Sequence, residues 1–174
     1  MPVNMKRMLS RELFSLIEEK GIDKINVQML ASRCGISRQA FYYHFKDIKD
    51  VIEWACQEAL KDLTQQAVHV FDPADILQLY LDMAVSSQLF LMRICESVHY
   101  HALEQLLCKS TEQFLAHVLS ARWPDTYSDL SMQHLFLSFY SSALVLHTLK
   151  LIQLPHPDTK KDAQQLAHLF FRDF

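Results

Sequence analysis

Apolar residues recur three and four positions apart along most of the chain, which is the spacing of helices with one buried face. The clearest run is Ile48, Val51, Ile52, Ala55, Cys56, Ala59, Leu60, Leu63, Ala67 and Val70. A second run, Leu9, Leu13, Phe14, Leu16 and Ile17, predicts a first helix over residues 5–20 that ends at Gly21. No stretch alternates apolar and polar residues between turn signals, so the sequence predicts no strand.

Residues 26–45 have the pattern of two short helices joined by a tight turn. Asn26 can cap the first helix, Gly35 can end it in a left-handed conformation, and Ser37 can cap the second. The residues that can form a shared apolar seam are Leu30, Ala31, Ile36, Ala40, Phe41 and Phe45. The residues that fall outside this seam are Arg38, Gln39, Tyr42 and Tyr43. This arrangement predicts a helix-turn-helix, in which the second helix enters the major groove of DNA.

The rest of the chain is predicted to form long helices. Asp47 can cap the run that starts at Ile48, and Asp72 followed by Pro73 starts the next helix. The remaining helices are expected over 74–93, 97–122, 129–153 and 158–172, and the breaks fall at the proline-containing segments 123–124 and 155–157.

Composition supports an all-α protein without catalytic chemistry. The 174 residues are 50% hydrophobic and include only two glycines, both assigned to helix ends. A glycine-rich phosphate loop is therefore excluded, and we find no nucleophile elbow and no paired carboxylates in an apolar setting. We expect no enzymatic activity and no cofactor.

The charge distribution agrees with DNA binding at one end. Residues 1–54 contain nine basic and seven acidic side chains, a net charge of +2, whereas the whole chain carries −3 and the remainder therefore −5. A mildly basic head on an acidic body suits a protein that meets DNA through its head.

The cysteines indicate a reducing compartment. Cys34, Cys56, Cys95 and Cys108 form no Cys-x-x-Cys pair and follow no secretory signal, so we expect free thiols in the cytoplasm. The most apolar run, 135–154, contains too many polar residues to span a membrane. Cys95 and His99 lie one helical turn apart with His101 nearby, and this group is read either as metal ligands or as ordinary side chains.

The segment from Asn26 to Phe45 resembles the DNA-binding core of the TetR family of bacterial transcriptional regulators. The resemblance rests on Cys34-Gly35-Ile36-Ser37, on Phe41-Tyr42-Tyr43-His44-Phe45 and on the preceding Asn26, Val27, Leu30 and Ala31. It covers about the first third of the chain. Ile48 stands where the family usually has a lysine that meets a phosphate, and Lys46 or Lys49 is available to replace it. The tetrapeptide Phe45-Lys46-Asp47-Ile48 also resembles the dihydroxyacetone kinase regulator-like branch of the family.

The resemblance implies a three-helix DNA-binding head at residues 1–50 and a helical dimerisation and regulatory body at 51–174. By residue type, Arg38 can read guanine and Gln39 can pair with adenine. By resemblance, the first turn of the helix that Asn26 caps contacts the DNA backbone. The side chains of Tyr42 and His44 are expected to contact the backbone as well. A packed ring for Tyr42 and an internal hydrogen bond for His44 remain alternatives. The full predicted DNA-binding set is Asn26, Gln28, Ser37, Arg38, Gln39, Tyr42, Tyr43, His44, Lys46 and Lys49.

For the body, the resemblance implies a homodimer formed by the last two helices and an apolar effector cavity. The candidate interface residues are Leu135, Phe139, Leu146, Leu149, Leu166, Leu169 and Phe170, with a monomeric core as the alternative. The implied function is a repressor that binds a pseudo-palindromic operator in double-stranded DNA and is released by a small-molecule effector. Two alternatives stay open: a DNA-bound adapter whose body binds a protein, and a metal or thiol sensor using Cys95, His99 and His101.

Overall fold

A computed structural model describes residues 2–122 and 130–170, and within these ranges the chain is helical without strands. The helices are α1 Pro2–Lys20, α2 Val27–Arg33, α3 Arg38–His44, α4 Ile48–Ala67, α5 Pro73–Ser86, α6 Gln88–Cys95, α7 Tyr100–Arg122, α8 Leu130–Leu151 and α9 Thr159–Phe170, with a 3₁₀-helix at Ile22–Lys24. The all-α fold predicted from the sequence is confirmed.

The helices of the N-terminal third begin where the sequence placed their caps. The Oδ1 atom of Asn26 accepts a hydrogen bond from the backbone N–H of Met29 at 3.0 Å. Ser37 does the same for Ala40 at 3.1 Å, and Asp47 for the N–H of Asp50 at 2.8 Å. These side chains satisfy N–H groups that have no partner within their own helix, and so they fix where α2, α3 and α4 start.

Two apolar clusters form the core. The first contains Leu13, Ile17 and Phe41 of the N-terminal helices, and it continues through Ile52 into body residues such as Ile94. The second lies within the body, where α5 packs most extensively on α9 and α7 packs on α4 and α8. Because the first cluster contains side chains from both ends of the molecule, the head is joined to the body by a continuous apolar core.

Two of the predicted body helices differ from the structure. The helix expected over 74–93 is two helices, α5 and α6, which meet at Ser87 (φ −105°, ψ 21°). The helix expected to start at residue 97 starts at Tyr100, because Ser97 accepts the backbone N–H of His99 and closes a turn. Neither break contains glycine or proline, so the sequence carried no strong signal for it. Three predicted features lie outside the described residues: the break at 123–124, the helix start at 129 and the end of the last helix at 171–172.

Candidate DNA-binding surface and body cavity

The turn between α2 and α3 is a C-terminal helix cap that depends on glycine. Gly35 has φ +66°, in the left-handed region. The N–H of Gly35 donates to the carbonyl of Ser32 at 3.2 Å and the N–H of Ile36 to that of Ala31 at 3.0 Å. This pair of bonds is the Schellman arrangement, which reverses the chain within two residues. It delivers Ser37 to the position from which it caps α3.

An ion-pair cluster braces α2 against α1, and the sequence analysis did not identify it. The guanidinium of Arg33 donates to Glu19 at 2.6 and 2.9 Å and to Glu12 at 3.1 Å. The hydrogen bond from Arg33 lowers the pKa of Glu19. The hydrogen bonds that Arg33 donates to Glu19 and Glu12 raise the pKa of Arg33, so the Arg33–Glu19 pair is charged at neutral pH. Residue spacing of 14 and 21 positions gives no local signal for such a contact.

The predicted recognition helix, α3, presents its polar side chains to solvent. Arg38 and Gln39 are exposed, and Tyr43 is 84% exposed. Tyr42 is 50% exposed, although its ring touches Phe41 edge-on at 5.5 Å. A guanidinium nitrogen of Arg38 approaches the Tyr42 hydroxyl at 3.5 Å, which places these two side chains one turn apart on the same face.

Three predicted DNA-binding residues make hydrogen bonds with partners three or four residues away in the sequence. Asn26 and Ser37 are caps, so part of their hydrogen-bonding capacity is used within the protein. The amide nitrogen of Gln28 donates to the Ser32 hydroxyl at 3.0 Å. All three remain exposed, and Asn26 and Ser37 stand at helix N-termini, where backbone N–H groups favour a phosphate.

The side-chain ammonium groups of the two lysines after α3 have no carboxylate partner among the described residues, although the backbone N–H of Lys46 donates to the Asp50 carboxylate at 2.8 Å. Lys46 and Lys49 are exposed, and, like Arg38, they form no ion pair with any residue in ranges 2–122 and 130–170. His44 is half-buried, its ring meets Tyr43 edge-on at 5.1 Å, and no described residue is a hydrogen-bond partner of this ring. The internal bond considered for His44 is therefore not seen among these residues.

Two cations on α1 are already engaged inside the protein. The Nζ atom of Lys6 lies 4.9 Å from the centre of the Phe45 ring and 5.9 Å from that of Trp54. Arg7 pairs with Glu58 of α4 at 3.6 Å. These contacts tie α1 to α4, so Lys6 and Arg7 are less available to DNA than Arg38, Lys46 and Lys49.

A hydrogen-bonded contact, here called the Asp23 clasp, joins the 3₁₀-helix to the turn between α6 and α7. The Ser97 hydroxyl donates to the Asp23 carboxylate at 2.6 Å, and the backbone N–H of Val98 donates at 3.1 Å. The Ser97 bond is the main reason that the pKa of Asp23 is lowered, with help from Val98 and the charge of His99. The clasp links the DNA-binding end to the body at a point 74 residues away in sequence.

A cavity of about 90 Å³ lies in the body against α1. Phe14 of α1 and Phe90 of α6 line it, and their ring centres are 4.1 Å apart. The other lining residues come from α4 to α8 and from the break between α5 and α6: Ala55, Cys56, Ala59, Leu60, Tyr80, Met83, Ala84, Ser87, Leu91, Leu107, Thr111, Val145, Thr148 and Leu149. A molecule in this cavity would therefore touch a helix of the DNA-binding end and the helices of the body together.

The polar side chains that line this cavity are the hydroxyl groups of Tyr80, Ser87, Thr111 and Thr148 and the Cys56 thiol. The Tyr80 hydroxyl lies 2.9 Å from Thr111 Oγ1, and Thr148 Oγ1 donates to the carbonyl of Leu144 at 2.7 Å. Burial raises the pKa of Tyr80 to about 12, while its hydrogen bond with Thr111 acts in the opposite direction. Burial also raises the pKa of the Cys56 thiol to about 12. Both groups are neutral at physiological pH.

An exposed apolar strip runs along α8 and α9, and we define it as Met132, Leu135, Phe139, Leu146 and Leu169. These side chains are 43–68% exposed. Three other residues predicted for a subunit interface, Leu149, Leu166 and Phe170, are instead at most 8% exposed because they pack in the core of their own chain. The spacing of apolar residues identifies the apolar face of a helix. It does not show which part of that face is buried within the same chain and which part is left exposed.

The candidate metal group is not assembled into a cluster. Within the described ranges, no group of three or more histidine, cysteine or acidic side chains is placed to hold a metal ion. His101 instead approaches Glu104 at 3.5 Å. Burial raises the pKa of Cys95 and Cys108, which disfavours their reactive thiolate forms.

Among the described helices, none has the length and apolar character required to cross a membrane.

Comparison with known proteins agrees with this geometry. Residues 12–53 match the family model of bacterial regulatory proteins, tetR family. No curated protein matches the chain in sequence.

Several solved structures share the fold. The dihydroxyacetone kinase operon activator DhaS is 16% identical with a TM-score of 0.69, over 96% of this chain and 94% of its own. A tetR-family transcriptional regulator from Streptomyces coelicolor is 20% identical with a TM-score of 0.62, over 95% and 80%. The TetR family repressor AlkX from Dietzia sp. is 14% identical with a TM-score of 0.65, over 95% and 94%. At these identities, the likeness establishes the fold.

The matched segment contains the capped helix-turn-helix, its glycine turn and the start of α4, and the fold likeness extends over both ends of the molecule. Residues 12–53 therefore match the tetR family of bacterial regulatory proteins, and the chain as a whole has an all-α fold with a helix-turn-helix segment that it shares with solved TetR-family structures.

Proposed function

We propose that this protein is a repressor that binds a pseudo-palindromic DNA operator as a homodimer in the cytoplasm and is released by a small effector bound in its body. The observation that carries this proposal is the surface of α3. Arg38, Gln39 and Tyr43 are exposed there, on a helix held in place by the Gly35 turn and the Arg33 brace. Its cations have no carboxylate partner among the described residues, so they are free to meet DNA.

The DNA-binding head is proposed to comprise residues 1–50 and the body residues 51–174. Within the head, Arg38 and Gln39 read base edges in the major groove. Lys46 and Lys49 meet phosphates, and they replace the family lysine for which this chain has Ile48. These contacts supply affinity that falls as salt rises. The other phosphate contacts are proposed for Asn26, Gln28, Ser37, Tyr42, Tyr43 and His44.

The exposed apolar strip on α8 and α9 supports the dimer. Contiguous apolar side chains on a surface mark an association site, and a two-fold interface uses the same patch on both copies. A dimer would place two α3 helices about one DNA turn apart, about 34 Å, and therefore select a two-fold symmetric operator.

The cavity supports regulation by a small molecule rather than by a protein partner. It lies between α1, which belongs to the proposed head, and α4, which connects head to body. An effector that fits one arrangement of these helices better than the other would shift the population between them, by no more than its difference in affinity. RolR, which shares the fold at 18% identity and a TM-score of 0.60, has been solved with resorcinol bound.

The first test is footprinting on the DNA that flanks the gene of this protein, at two salt concentrations. A protected segment with two-fold symmetry and weaker protection at higher salt is expected. Replacing Arg38 with Ala should lower operator affinity about tenfold to a hundredfold and reduce discrimination between operator and unrelated DNA.

Two matched variants make this test specific. Lys49→Ala should weaken binding to all DNA sequences alike and reduce the salt dependence by about one phosphate contact. Lys150→Ala, which removes an exposed charge from α8, should leave DNA binding unchanged. Unchanged or tighter operator binding by Arg38→Ala would disprove the assignment of α3 as the recognition helix.

The dimer is tested at Phe139, which is 64% exposed on α8. Phe139→Asp should convert the dimer to a folded monomer, because the new carboxylate would lose its hydration at the interface. Sedimentation equilibrium measures the mass, and circular dichroism verifies the fold. The control change Phe71→Asp alters a ring that is also largely exposed (81%) but lies outside the strip, and it should leave the mass unchanged. A wild-type protein that is monomeric at micromolar concentration would refute this part of the proposal.

A further inference from the structure

The cavity that Phe14 of α1 lines together with the body helices has no charged side chain in its lining. None of its lining residues is acidic, basic or a histidine. The two lining groups that could ionise, the Tyr80 phenol and the Cys56 thiol, stay protonated at neutral pH because burial raises the pKa of each to about 12. An ion of either sign would therefore enter this cavity without meeting an opposite charge.

The hydroxyl groups of the lining offer hydrogen bonds but do not replace the hydration of a full charge. The Tyr80 hydroxyl and Thr111 Oγ1 are partners of each other at 2.9 Å, and Thr148 Oγ1 donates to the Leu144 carbonyl. Ser87 stands at the break between α5 and α6, and its hydroxyl makes no capping hydrogen bond to α6. Since a hydroxyl group can donate or accept, Ser87 can meet one neutral polar group of either kind.

The size of the cavity adds a second restriction. Its volume of about 90 Å³ is smaller than the roughly 150 Å³ of an engineered cavity that takes up benzene. Met83 is the flexible member of the lining and can adjust to the shape of an occupant. Ala59 also lines the cavity and is exposed, so it marks the side from which a molecule can enter. The cavity suits a molecule of about four to six non-hydrogen atoms.

We propose that this cavity selects its ligand by charge: it accepts small, uncharged, largely apolar molecules and excludes ammonium and carboxylate compounds of the same shape. This inference rests on the proposed function of the cavity as the effector site, and it names the ligand class of that site. An ion that is buried without a partner loses its hydration and gains no ionic contact in return. A charged molecule should therefore bind at least about a hundredfold more weakly than a neutral molecule of equal size.

The test uses two pairs of probes built on one branched carbon skeleton. Isobutanol is compared with isobutylammonium, and isobutyramide with isobutyrate. The members of each pair have equal numbers of non-hydrogen atoms, and at pH 7 only the second member carries a charge. Each probe is added to the full chain at about 1–50 mM and at constant ionic strength, because ligands with so few atoms bind with millimolar constants.

The binding signal is the NMR resonance of the Met83 methyl group in protein labelled with ¹³C at its methionine methyl groups. Met83→Leu identifies this resonance by removing it. Isobutanol and isobutyramide should shift it along a saturating curve, whereas isobutylammonium and isobutyrate should leave it unshifted over the same range. Met29 on α2 lies outside the cavity lining, so its resonance should stay unshifted with all four probes.

Alanine variants locate the binding. Ala84→Leu adds carbon atoms inside the cavity and should weaken the binding of both neutral probes at least about tenfold. Ala59→Leu narrows the exposed side of the lining, where a larger side chain is less crowded, and it gives the same test if Ala84→Leu does not fold. Ala121→Leu makes the same change at an exposed position of α7 outside the lining and should bind like the wild type. Circular dichroism without probe verifies that each variant is folded.

Several results would overturn the proposal: equal affinity within either pair, preference for a charged probe, binding of none of the four, or neutral binding that persists in the folded cavity variants. DNA binding is measured separately without probe. Selective binding of neutral probes by a chain that does not bind DNA would refute the proposed function but not the ligand class. Operator binding by a chain that does not distinguish neutral from charged probes would refute the ligand class alone.

Discussion

The head and the body of this protein are stabilised by different kinds of contact. In the head, α2, α3 and α4 each begin at a side-chain cap, one turn requires a left-handed glycine, and an arginine bridges two helices. In the body, the long helices α4, α5, α7 and α8 meet through apolar side chains, and the Tyr80–Thr111 contact is one of few polar links between them.

This difference explains how each region diverges among relatives. A cap or a left-handed turn accepts only a few residue types, whereas an apolar seam accepts many combinations of similar total volume. The family model accordingly matches only residues 12–53, while the likeness to DhaS extends over 96% of the chain at 16% identity.

The largest expected effect comes from removing the ring at the centre of the head. Phe41 is completely buried, and Phe41→Ala should lower the free energy of unfolding by about 3–5 kcal/mol through lost burial and the cavity left behind. Because its cluster continues into the body, urea unfolding followed by circular dichroism should still show a single transition.

The matched change in the body is Leu144→Ala, at a residue that is also completely buried, in the second cluster. It should cost about 2–5 kcal/mol, again in a single transition. Two separate transitions in either variant would show that head and body unfold independently, and that the shared cluster does not couple them.

A smaller effect is expected at Gly35. Gly35→Ala should lower the free energy of unfolding by about 1–2 kcal/mol, because φ +66° crowds the Cβ atom of any other L-residue. The loss comes from the backbone alone, since a Cβ atom at this position meets no described atom within 4 Å. Gly35→Asn is the control, because asparagine tolerates the left-handed region better, and it should cost less in the same urea titration. An equal loss in both variants would contradict this explanation.

The sequence predicted the parts of the molecule that depend on local residue types. Caps at Asn26, Ser37, Asp47 and Asp72 are all confirmed, as is the burial of Phe41 and Phe45. The break at Ser87 was missed because no glycine or proline marks it. The burial of Leu149, Leu166 and Phe170 within their own chain was missed because it depends on how α8 and α9 pack.

Contacts between residues far apart in the chain were also beyond the reach of sequence patterns. The Asp23 clasp and the Arg33 brace join residues far apart in the chain, and each residue type is ordinary on a solvated surface. The resemblance implied an apolar cavity in the body, but no sequence pattern indicated that Phe14 from α1 would line it. Such contacts depend on the assembled fold, in which the 3₁₀-helix meets the turn after α6.

The smallest expected effect concerns the Asp23 clasp and its response to acid. The pKa of Asp23 is lowered from 3.8 in the folded protein, chiefly by the hydrogen bond from Ser97. The folded state therefore releases this proton more readily than the unfolded state, and the resulting stabilisation is present above pH 3.8 and disappears as pH falls through the lower folded-state pKa. Ser97→Ala removes the main cause of the shift, so its stability should fall less steeply with acid than that of the wild type.

Urea titrations at a series of pH values from about 5 to 2 measure the two slopes. Ser120→Ala, which removes an exposed hydroxyl from α7 away from the clasp, should keep the wild-type slope. Parallel slopes for wild type and Ser97→Ala would mean that the clasp does not hold the Asp23 carboxylate in solution, and that head and body are joined by the apolar cluster and the Arg7–Glu58 pair without it.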